Sequence, residues 1–500
     1  MSDLFAALQH QHAADPQRVA LYDGTRTLRY GDLPDALAAG TKFLAEHGIT
    51  TLGLLADNGI PWILADLAAL HGAVTCVPLP LFFSPQQLLH ALHDSAMDGL
   101  LTDQPQQALA LLTQAGIGAQ EVGALHGLTL LRLPKRVRHV TLPEGTAKIT
   151  YTSGTTGDPK GVCLSRAHME TVALSLLHSS GASAQHRHLC LTPLSTLLEN
   201  IGGVYAPLLA GACCCVPPLQ RVGLSGAAGL QSASMLQALH DFDASTAILA
   251  PQMLHALVAL LEGGAALPPH LHFVAVGGAP VSPHLLARAV QLGLPVYEGY
   301  GLSECASVVA LNTAANNRCG TVGQLLPHAR VRFAADGEIL LDGAVFLGYL
   351  GHGAAVRPWP SGDIGFLDAE GYLHITGRKK SVFITAFGRN VAPEWVEREL
   401  TLHPAIAQAA VFGEGQAWNC AVIVARANAS ASSIAAAVDQ INQLLPDYAR
   451  IGKWLPALQA FTPSNGQLTS NGRLRRAEIF AAYADRIAAL YEENTHVVLC

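Results

Sequence analysis

A ten-residue stretch at positions 152–161, TSGTTGDPKG, combines small, hydroxyl and basic residues in an order suited to binding phosphate. Its glycines let backbone N–H groups approach an anion closely, its hydroxyls add donors, and Lys160 adds a positive charge. Pro159 precedes this lysine where the P-loop of nucleotide triphosphatases requires glycine, which excludes a P-loop kinase. A flexible Gly/Ser/Thr turn is the alternative interpretation. The candidate phosphate-binding residues are Thr152, Ser153, Gly154, Thr155, Thr156, Gly157 and Lys160.

Three further polar segments are suited to the rest of a nucleotide. The segment GGAP at 277–280 directly follows a predicted strand, which is where open α/β sheets bind ligands. The segment EGYGLSE at 298–304 follows the next strand and supplies a ring that can stack on a base, a hydroxyl for phosphate and a carboxylate for Mg²⁺. The third segment is the turn Ser361-Gly-Asp363, whose carboxylate suits ribose hydroxyls. The candidate residues are Gly277, Gly278, Ala279, Glu298, Gly299, Tyr300, Gly301, Ser303, Glu304 and Asp363.

The elements that must position these residues alternate between short apolar runs and helical patterns. This alternation predicts βαβ units, and therefore a parallel sheet covered by helices. An apolar run from Gly202 to Val216 is interrupted by Pro207 and is too short to span a bilayer, so we predict a buried strand pair there. Strands are predicted at 52–56, 73–77, 99–102, 148–151, 162–165, 247–250, 273–276 and 295–297, and helices at 62–70, 84–95 and 106–113.

The pattern changes near residue 330, where two hairpin signals follow each other at 331–341 and 365–375. After Lys380 come about 120 residues with mixed helices and strands, enough for a small domain. We therefore predict a boundary at 377–380. It divides the chain into residues 1–379 and 380–500.

Composition limits the possible functions. A chain of 500 residues exceeds the size at which one core stops growing, so at least two domains are expected. The net charge of −7 argues against nucleic acid as a partner. The N-terminus lacks a signal-peptide pattern, and we expect a cytoplasmic protein without a transmembrane segment. The ten cysteines contain no Cys-x-x-Cys pair, and nothing near His186 and His188 completes a ligand set, so we predict packed, reduced thiols and no metal there.

Taken together, these residues resemble the AMP-forming acyl- and aryl-ligase superfamily, which includes acyl-CoA synthetases, luciferases and peptide-synthetase adenylation domains. The resemblance implies an α/β fold: a large N-terminal domain of two α/β subdomains plus a distorted β-barrel, and a small mobile α+β C-terminal domain. The matching stretches, in the order of the family, are YTSGTTGDPKGV (151–162), GGAP (277–280), EGYGLSE (298–304), SGDIGFLD (361–368) and GRKKSVFITAFGRNVAPEWVE (377–397).

The resemblance also implies substrates, cofactors and residue roles. ATP and Mg²⁺ would activate a small carboxylic acid as an acyl-adenylate, and the acceptor would be CoA or the phosphopantetheine arm of an acyl carrier protein. In this scheme residues 152–160 bind pyrophosphate, with Lys160 catalytic. The remaining implied roles are adenine binding for Gly277 to Ala279 and Tyr300, the α-phosphate region for Ser303, catalysis and Mg²⁺ binding for Glu304, ribose binding for Asp363 and Arg378, the hinge for Lys380, and the thiol channel for Gly388.

Two departures from the family pattern bear on activity. Arg473 occupies the slot where the family usually has a lysine that reaches the α-phosphate and the substrate carboxylate. Arg473 serves in its place, or Arg475 or Arg476 takes over, or adenylation is weak and a preformed intermediate is processed; a solvated basic turn is the plain alternative. The second departure is Ser195 and Thr196, where many relatives place a ring beside the acid.

The sequence thus predicts an ATP-dependent, AMP-forming ligase that activates a carboxylic acid and transfers it to a thiol. The low aromatic content of 6% and the EGYGLSE stretch favour a fatty acid. One alternative is an aryl-acid ligase that loads a biosynthetic carrier protein. Another is a non-catalytic acyl or nucleotide binder that has lost the lysine.

Overall fold

The computed structural model describes residues 4–134, 142–152, 159–225, 229–387, 389–427, 429–469 and 472–492. Within these ranges, no helix is long and apolar enough to cross a bilayer. The nine described cysteines are free thiols, and eight of them are buried. This confirms the prediction of packed, reduced thiols for all of them except Cys319, which is exposed.

The first part of the chain alternates helices and strands as predicted. Its helices are α1 (Leu4–Ala14), α2 (Leu33–Glu46), α3 (Ile60–His71), α4 (Pro85–Ser95) and α5 (Pro105–Gln114), and its strands are β1 (Val19–Tyr22), β2 (Thr27–Arg29), β3 (Thr51–Leu55), β4 (Thr75–Pro78), β5 (Gly99–Thr102), β6 (Gln120–Leu125), β7 (Leu128–Arg132), β8 (Thr146–Thr152) and β9 (Lys160–Ser165). Helix α4 starts with a capping box between Ser84 and Gln87 and a proline in its first turn, which explains its sharp start.

The second part repeats this alternation. Its helices are α6 (Arg166–Ser180), α7 (Ala206–Ala210), α8 (Ser232–Asp241), α9 (Pro251–Glu262) and α10 (Pro283–Gln291), and its strands are β10 (Arg187–Leu189), β11 (Cys213–Cys215), β12 (Leu224–Ser225), β13 (Gly229–Leu230), β14 (Thr246–Leu249), β15 (Phe273–Val276), β16 (Val296–Tyr300), β17 (Ala310–Leu311) and β18 (Gln324–Leu325).

The apolar run at 202–216 corrects one prediction. It belongs to a π-helical segment (Glu199–Tyr205), helix α7 and the single strand β11, instead of a strand pair. Pro207 lies in the first turn of α7, directly after the π-helical segment. The prediction was wrong because a short apolar run does not distinguish a buried strand from a buried helix.

The remaining elements are mostly strands, followed by a mixed C-terminal region. They are β19 (Ala329–Phe333), β20 (Glu338–Gly343), β21 (Gly348–Tyr349), β22 (Trp359–Leu367), β23 (Leu373–Arg378), β24 (Phe383–Ile384), β25 (Asn390–Val391), α11 (Pro393–Leu402), β26 (Ile406–Phe412), β27 (Asn419–Ala425), α12 (Ala431–Leu444), β28 (Ile451–Pro456) and α13 (Arg476–Glu492).

Two large sheets form the N-terminal domain. One has eight strands in the order β21-β9-β8-β4-β3-β5-β7-β6, and the other has nine in the order β18-β17-β16-β15-β14-β10-β11-β1-β2. Both have parallel centres, because βαβ crossovers connect their strands, and antiparallel edges. A third, antiparallel sheet, β19-β20-β22-β23, forms a half-barrel beside them.

The smaller C-terminal domain is built on the three-stranded sheet β26-β27-β28. Helices α11 and α12 contribute to one core on this sheet, and α13 contributes to a second. The predicted fold class is therefore confirmed. The distorted barrel is represented by the half-barrel sheet.

Candidate active site

The phosphate-loop candidate lies between two paired strands. Strands β8 and β9 run antiparallel, with Thr152 opposite Lys160 at the base of the loop. Lys160 Nζ lies 5.3 Å from the centre of the Tyr349 ring, within cation–π range. The other five loop candidates lie outside the described residues: Ser153, Gly154, Thr155, Thr156 and Gly157.

Two glycine-containing turns follow β15 and β16 at one edge of the nine-stranded sheet. These strands are parallel neighbours, so their carboxyl ends meet at this edge. A Cβ on Gly277 would lie 3.1 Å from Gly299 O, whereas open space surrounds the Cβ position of Gly278. A Cβ on Gly301 would lie 1.6 Å from Ser307 O, so only glycine fits there. The two turns thus lie side by side, with open space at the Cβ position of Gly278.

Asp363 lies at the centre of a polar cluster formed by β16, β22 and β23. Tyr300 donates its Oη hydrogen to Asp363 Oδ2 at 2.6 Å, and Arg378 Nε lies 2.7 Å from Oδ1. Burial raises the pKa of Asp363, an effect that Arg378 and Tyr300 oppose. The structure therefore brings together three residues that the sequence predicts for adenine and ribose.

Glu304 lies beside this cluster in a short 3₁₀ helix, Ser303–Cys305. Tyr349 donates its Oη hydrogen to Glu304 Oε1 at 2.6 Å. Burial raises the pKa of Tyr349, so the phenol stays a hydrogen-bond donor. Together with the Lys160 contact, this places a lysine, a phenol and a carboxylate side by side.

Arg473 reaches the same edge of the sheet from the C-terminal domain. Its Nη2 donates to Gly278 O at 3.2 Å. The turn that carries it is closed on both sides: Thr469 N donates to Arg473 O at 2.7 Å, and Arg473 N donates to Thr469 Oγ1 at 3.1 Å. The arginine in the lysine slot is therefore held by its own turn and contacts the turn at Gly278.

The charges around Arg473 link it to the ribose and metal candidates. Arg473 is an exposed residue. Even so, loss of water around the guanidinium lowers the pKa of Arg473, and Arg378 adds to that effect. Asp363 and Glu304 act in the opposite direction and favour the cation. Two cations and two carboxylates thus share one region, a charge balance suited to binding an anionic nucleotide.

Arg475 and Arg476 have other partners. Arg476 lies 2.9 Å from Glu394 and also pairs with Glu397, both on α11, while Arg475 donates to Glu478 at 3.3 Å. These contacts stay within the C-terminal domain. Of the three arginines, Arg473 is the one with a hydrogen bond to the turn at Gly278 among the described contacts.

The sequence of this chain matches the family model described as AMP-binding enzyme over residues 8–350. A second model, described as AMP-binding enzyme C-terminal domain, matches residues 380–495. The chain belongs to the AMP-binding enzyme family.

Named relatives agree on the reaction class. The chain is 28% identical over 585 residues to the long-chain-fatty-acid–CoA ligase FadD15 of Mycobacterium bovis, covering 98% of each chain. It is 27% identical over 425 residues to the 2-succinylbenzoate–CoA ligase of Bacillus subtilis, covering 81% of this chain and 84% of the relative.

Solved structures show the same fold. The anthranilate CoA ligase AuaEII, in complex with anthranoyl-AMP, matches with a TM-score of 0.80 at 18% identity, covering 97% of this chain and 98% of that one. The o-succinylbenzoate CoA synthetase MenE of Bacillus subtilis, with ATP and magnesium, matches with a TM-score of 0.75 at 22% identity, covering 94% and 98%.

The protein is an AMP-forming acid–thiol ligase, and this class uses ATP, Mg²⁺ and CoA. The predicted reaction class and cofactors are confirmed at this level. The residues present fit both ATP and Mg²⁺: open space lies at the Cβ position of Gly278, and the carboxylate of Glu304, near Asp363, is a hard oxygen group of the kind that Mg²⁺ prefers.

Not every predicted residue of this AMP-binding enzyme joins the cluster. Glu298 is buried, and its Oε1 accepts a hydrogen bond from Val281 N at 3.3 Å. Burial raises the pKa of Glu298 to about 7, although Arg398 of the C-terminal domain lowers it. Lys380 is exposed just after β23, and Gly388 lies outside the described residues.

Sequence reasoning missed Tyr349 and Glu338, which contact the site. Tyr349 belongs to the two-residue strand β21, which pairs with β9, a strand much earlier in the sequence. A local sequence pattern does not predict such a pairing. The sequence predicts Glu338 only as the start of a hairpin strand, directly after an Asp-Gly turn, and that pattern does not indicate a contact with the site.

A buried cluster of His188, Cys190 and Glu199 corrects the prediction that nothing near His188 completes a ligand set. Their ligand atoms lie within 4.8 Å of one another. His188 already bonds Glu199 at 2.9 Å and Thr246 at 2.9 Å, and Glu199 accepts from Thr192. These contacts give the cluster a structural role in fixing the π-helical segment.

Proposed function

We propose that this enzyme activates a monocarboxylic acid with an apolar tail, of the fatty-acid class, and transfers the acyl group to CoA. The observation that carries the adenylation step is the contact of Arg473 with Gly278 O. It sets a guanidinium from the C-terminal domain near Asp363, Glu304 and Arg378. We further propose that the two domains meet at residues 379–380 and that the smaller one moves between two half-reactions.

The first half-reaction follows from the charges in the cluster. A carboxylate oxygen of the acid attacks the α-phosphorus of ATP, and the bond from that phosphorus to the bridging oxygen breaks, so that pyrophosphate leaves. Arg473 would neutralise charge that develops at the α-phosphate, and Lys160 the charge on pyrophosphate. Asp363 and Arg378 would hold the ribose. Glu304 would hold Mg²⁺, which neutralises phosphate charge when bound.

The second half-reaction makes the thioester. The thiol loses its proton to solvent, its sulfur attacks the acyl carbonyl carbon, and the bond from that carbon to the AMP oxygen breaks, so that AMP leaves. Movement of the C-terminal domain about Lys380 would bring the segment around Gly388 to the acyl group. CoA is the acceptor we propose, since the relatives named above are CoA ligases. A carrier-protein arm is the alternative acceptor.

The fatty-acid–CoA ligase among the named relatives supports a monocarboxylic acid with a flexible apolar chain. The small residues Ser195 and Thr196, in place of rings, leave the wall beside the acid open to a flexible chain.

Acid-dependent ATP–pyrophosphate exchange tests this function. We expect exchange with saturated monocarboxylic acids and weak exchange with aromatic or dicarboxylic acids of equal size. If exchange is strongest with an aryl acid, the proposed fatty-acid substrate class is wrong, although the proposed adenylation reaction still holds. Absence of exchange with every acid, alongside normal ATP binding, would overturn the adenylation step. Thioester formation from CoA and from a carrier protein, measured side by side, decides the acceptor.

A further inference from the structure

Three residues near the ribose candidate close a ring of contacts outside the residues assigned so far. Glu338 Oε1 accepts a hydrogen bond from Gly362 N at 3.0 Å, and Glu338 Oε2 accepts one from Lys379 Nζ at 2.7 Å. The ring closes where Lys379 N donates to Gly362 O at 2.8 Å. We call these three residues the Glu338 triangle.

The triangle fixes the turn that presents Asp363. Gly362 has a φ of +74°, a left-handed conformation that glycine adopts without strain. Its N–H is bound by Glu338 and its carbonyl by Lys379, so both sides of the residue are held. Asp363 follows directly, and the direction of its carboxylate depends on this peptide.

The same triangle holds the residue before the proposed hinge. Lys379 Nζ also lies 2.7 Å from Asp336 Oδ2. The carboxylates of Asp336 and Glu338 raise the pKa of Lys379 to about 12, so this lysine stays charged. Glu338 is itself buried, with 8% of its surface exposed, and cannot turn away to solvent. Lys379 is therefore fastened to the N-terminal domain immediately before Lys380.

We propose that Glu338 is a positioning residue: it ties the turn that carries Asp363 to Lys379 and thereby anchors the N-terminal side of the hinge. This inference rests on the proposed function, in which Asp363 holds the ribose and movement starts at Lys380. The triangle stays with the large domain when the smaller one moves. ATP binding and hinge geometry then depend on the same ring of contacts.

The test uses Lys379→Met, Lys379→Arg and Glu338→Gln in the full chain. Loss of the ion pair should raise the KM for ATP in pyrophosphate exchange by about 5-fold in Lys379→Met, with kcat within about 2-fold of wild type. Glu338→Gln keeps an acceptor for Gly362 N and should show a smaller rise. Lys379→Arg restores the charge and should return the KM to within about 2-fold of wild type.

Hydrogen exchange on the protein without substrates supplies a second readout. The amides of 359–367 and 373–382 should exchange about 10-fold faster in Lys379→Met than in wild type, since ring contacts protect them. Lys42→Met is the matched control: it removes an exposed lysine 3.8 Å from Glu46 and should change neither readout.

Each outcome decides the matter. If hydrogen exchange is unchanged in Lys379→Met and Glu338→Gln, the contacts of the Glu338 triangle do not stabilise this part of the protein, and the proposal is wrong. Faster hydrogen exchange with an unchanged KM for ATP would overturn the positioning role. If the wild-type enzyme shows no ATP–pyrophosphate exchange with any acid, the proposed function is wrong. Amide hydrogen exchange would still test the contacts of the Glu338 triangle in that case.

Discussion

Asp363 and Arg378 lie directly opposite each other on β22 and β23, and Arg378 Nε approaches Asp363 Oδ1 to 2.7 Å. The pairing leaves one carboxylate oxygen to Tyr300 and fixes the orientation of both charges before any nucleotide arrives. A preorganised carboxylate of this kind binds hydroxyl groups without a further cost in side-chain ordering.

Replacement of Asp363 by asparagine should weaken ATP binding. The change removes a charged acceptor and leaves Arg378 without its partner, which we expect to raise the KM for ATP by about 10- to 100-fold. Initial rates of pyrophosphate exchange over a range of ATP concentrations measure it. Asp342→Asn is the control, because Asp342 pairs loosely with Arg332 at 3.7 Å on the same sheet. Equal KM values for Asp363→Asn and wild type would remove Asp363 from the ribose site.

Arg473 should matter for the rate of adenylation. Arg473→Ala should lower kcat for pyrophosphate exchange by about 100-fold, because it removes a donor from charge that develops at the α-phosphate. Arg473→Lys keeps the charge and should stay within about 10-fold of wild type. Arg475→Ala is the matched control, since Arg475 pairs with Glu478 within the C-terminal domain. If the Arg473→Ala enzyme is fully active, Arg473 has no role in adenylation and belongs to a solvated basic turn.

Much of the fold was accessible from the sequence, because periodicity and turn residues act locally. Strand β15 and helix α4 were predicted to within a residue or two. The π-helical segment Glu199–Tyr205 was not, since its conformation depends on tertiary contacts such as that between Glu199 and His188.

The site shows the same division. Asp363 and Arg378 were found because they belong to stretches typical of one family, and the structure brings them together. Tyr349 and Lys379 were not predicted, because the role of each depends on a hydrogen bond to a residue distant in sequence. Tyr349 donates to Glu304, and Lys379 donates to Glu338. Family motifs point to candidate site residues, whereas the contacts that support those residues become visible only in the structure.

Glu304 should control the requirement for magnesium. Glu304→Gln removes a charged oxygen ligand, and the Mg²⁺ concentration that gives half-maximal exchange should rise by about 10-fold or more. Titration of exchange with Mg²⁺ at fixed ATP measures this change. Glu46→Gln, an exposed glutamate on α2, is the control. If the variant and wild type require the same Mg²⁺ concentration, then Glu304 is not the ligand.

Glu298 should make stability depend on pH. Burial raises its pKa from an ordinary value of 4.5 to about 7, so the folded protein keeps a proton that the unfolded chain has lost. The contribution to stability is therefore fully present below pH 4.5 and is lost as the pH rises towards 7, by up to about 3 kcal/mol. Glu397 behaves in the same way, with a pKa of about 7.

The variant Glu298→Gln separates these two groups. It cannot titrate, so the free energy of unfolding from urea denaturation should fall less steeply between pH 4.5 and 7 than in wild type. Glu397 and other buried carboxylates with a raised pKa, such as Asp363, contribute to the slope that remains. Parallel pH profiles for variant and wild type would show that Glu298 has an ordinary pKa in the folded protein.

The buried pair of Lys148 and Asp66 should stabilise the fold without affecting nucleotide binding. The two groups lie 2.7 Å apart with 1% of each side chain exposed, and Asp66 also accepts from Asn200 at 3.0 Å and Tyr205 at 2.7 Å. Lys148→Met leaves this carboxylate buried without its cation and should lower the free energy of unfolding by about 3–5 kcal/mol. The double variant Lys148→Met/Asp66→Asn removes both charges and should recover most of that loss.

An exposed ion pair provides the comparison for these unfolding measurements. Arg288 and Glu262 lie on the surface, so Arg288→Met should cost less than about 1 kcal/mol. The KM for ATP should stay at the wild-type value in the double variant, because neither residue contacts the cluster around Asp363. A double variant as unstable as Lys148→Met would mean that the lysine stabilises the fold through packing of its aliphatic chain and not through its charge.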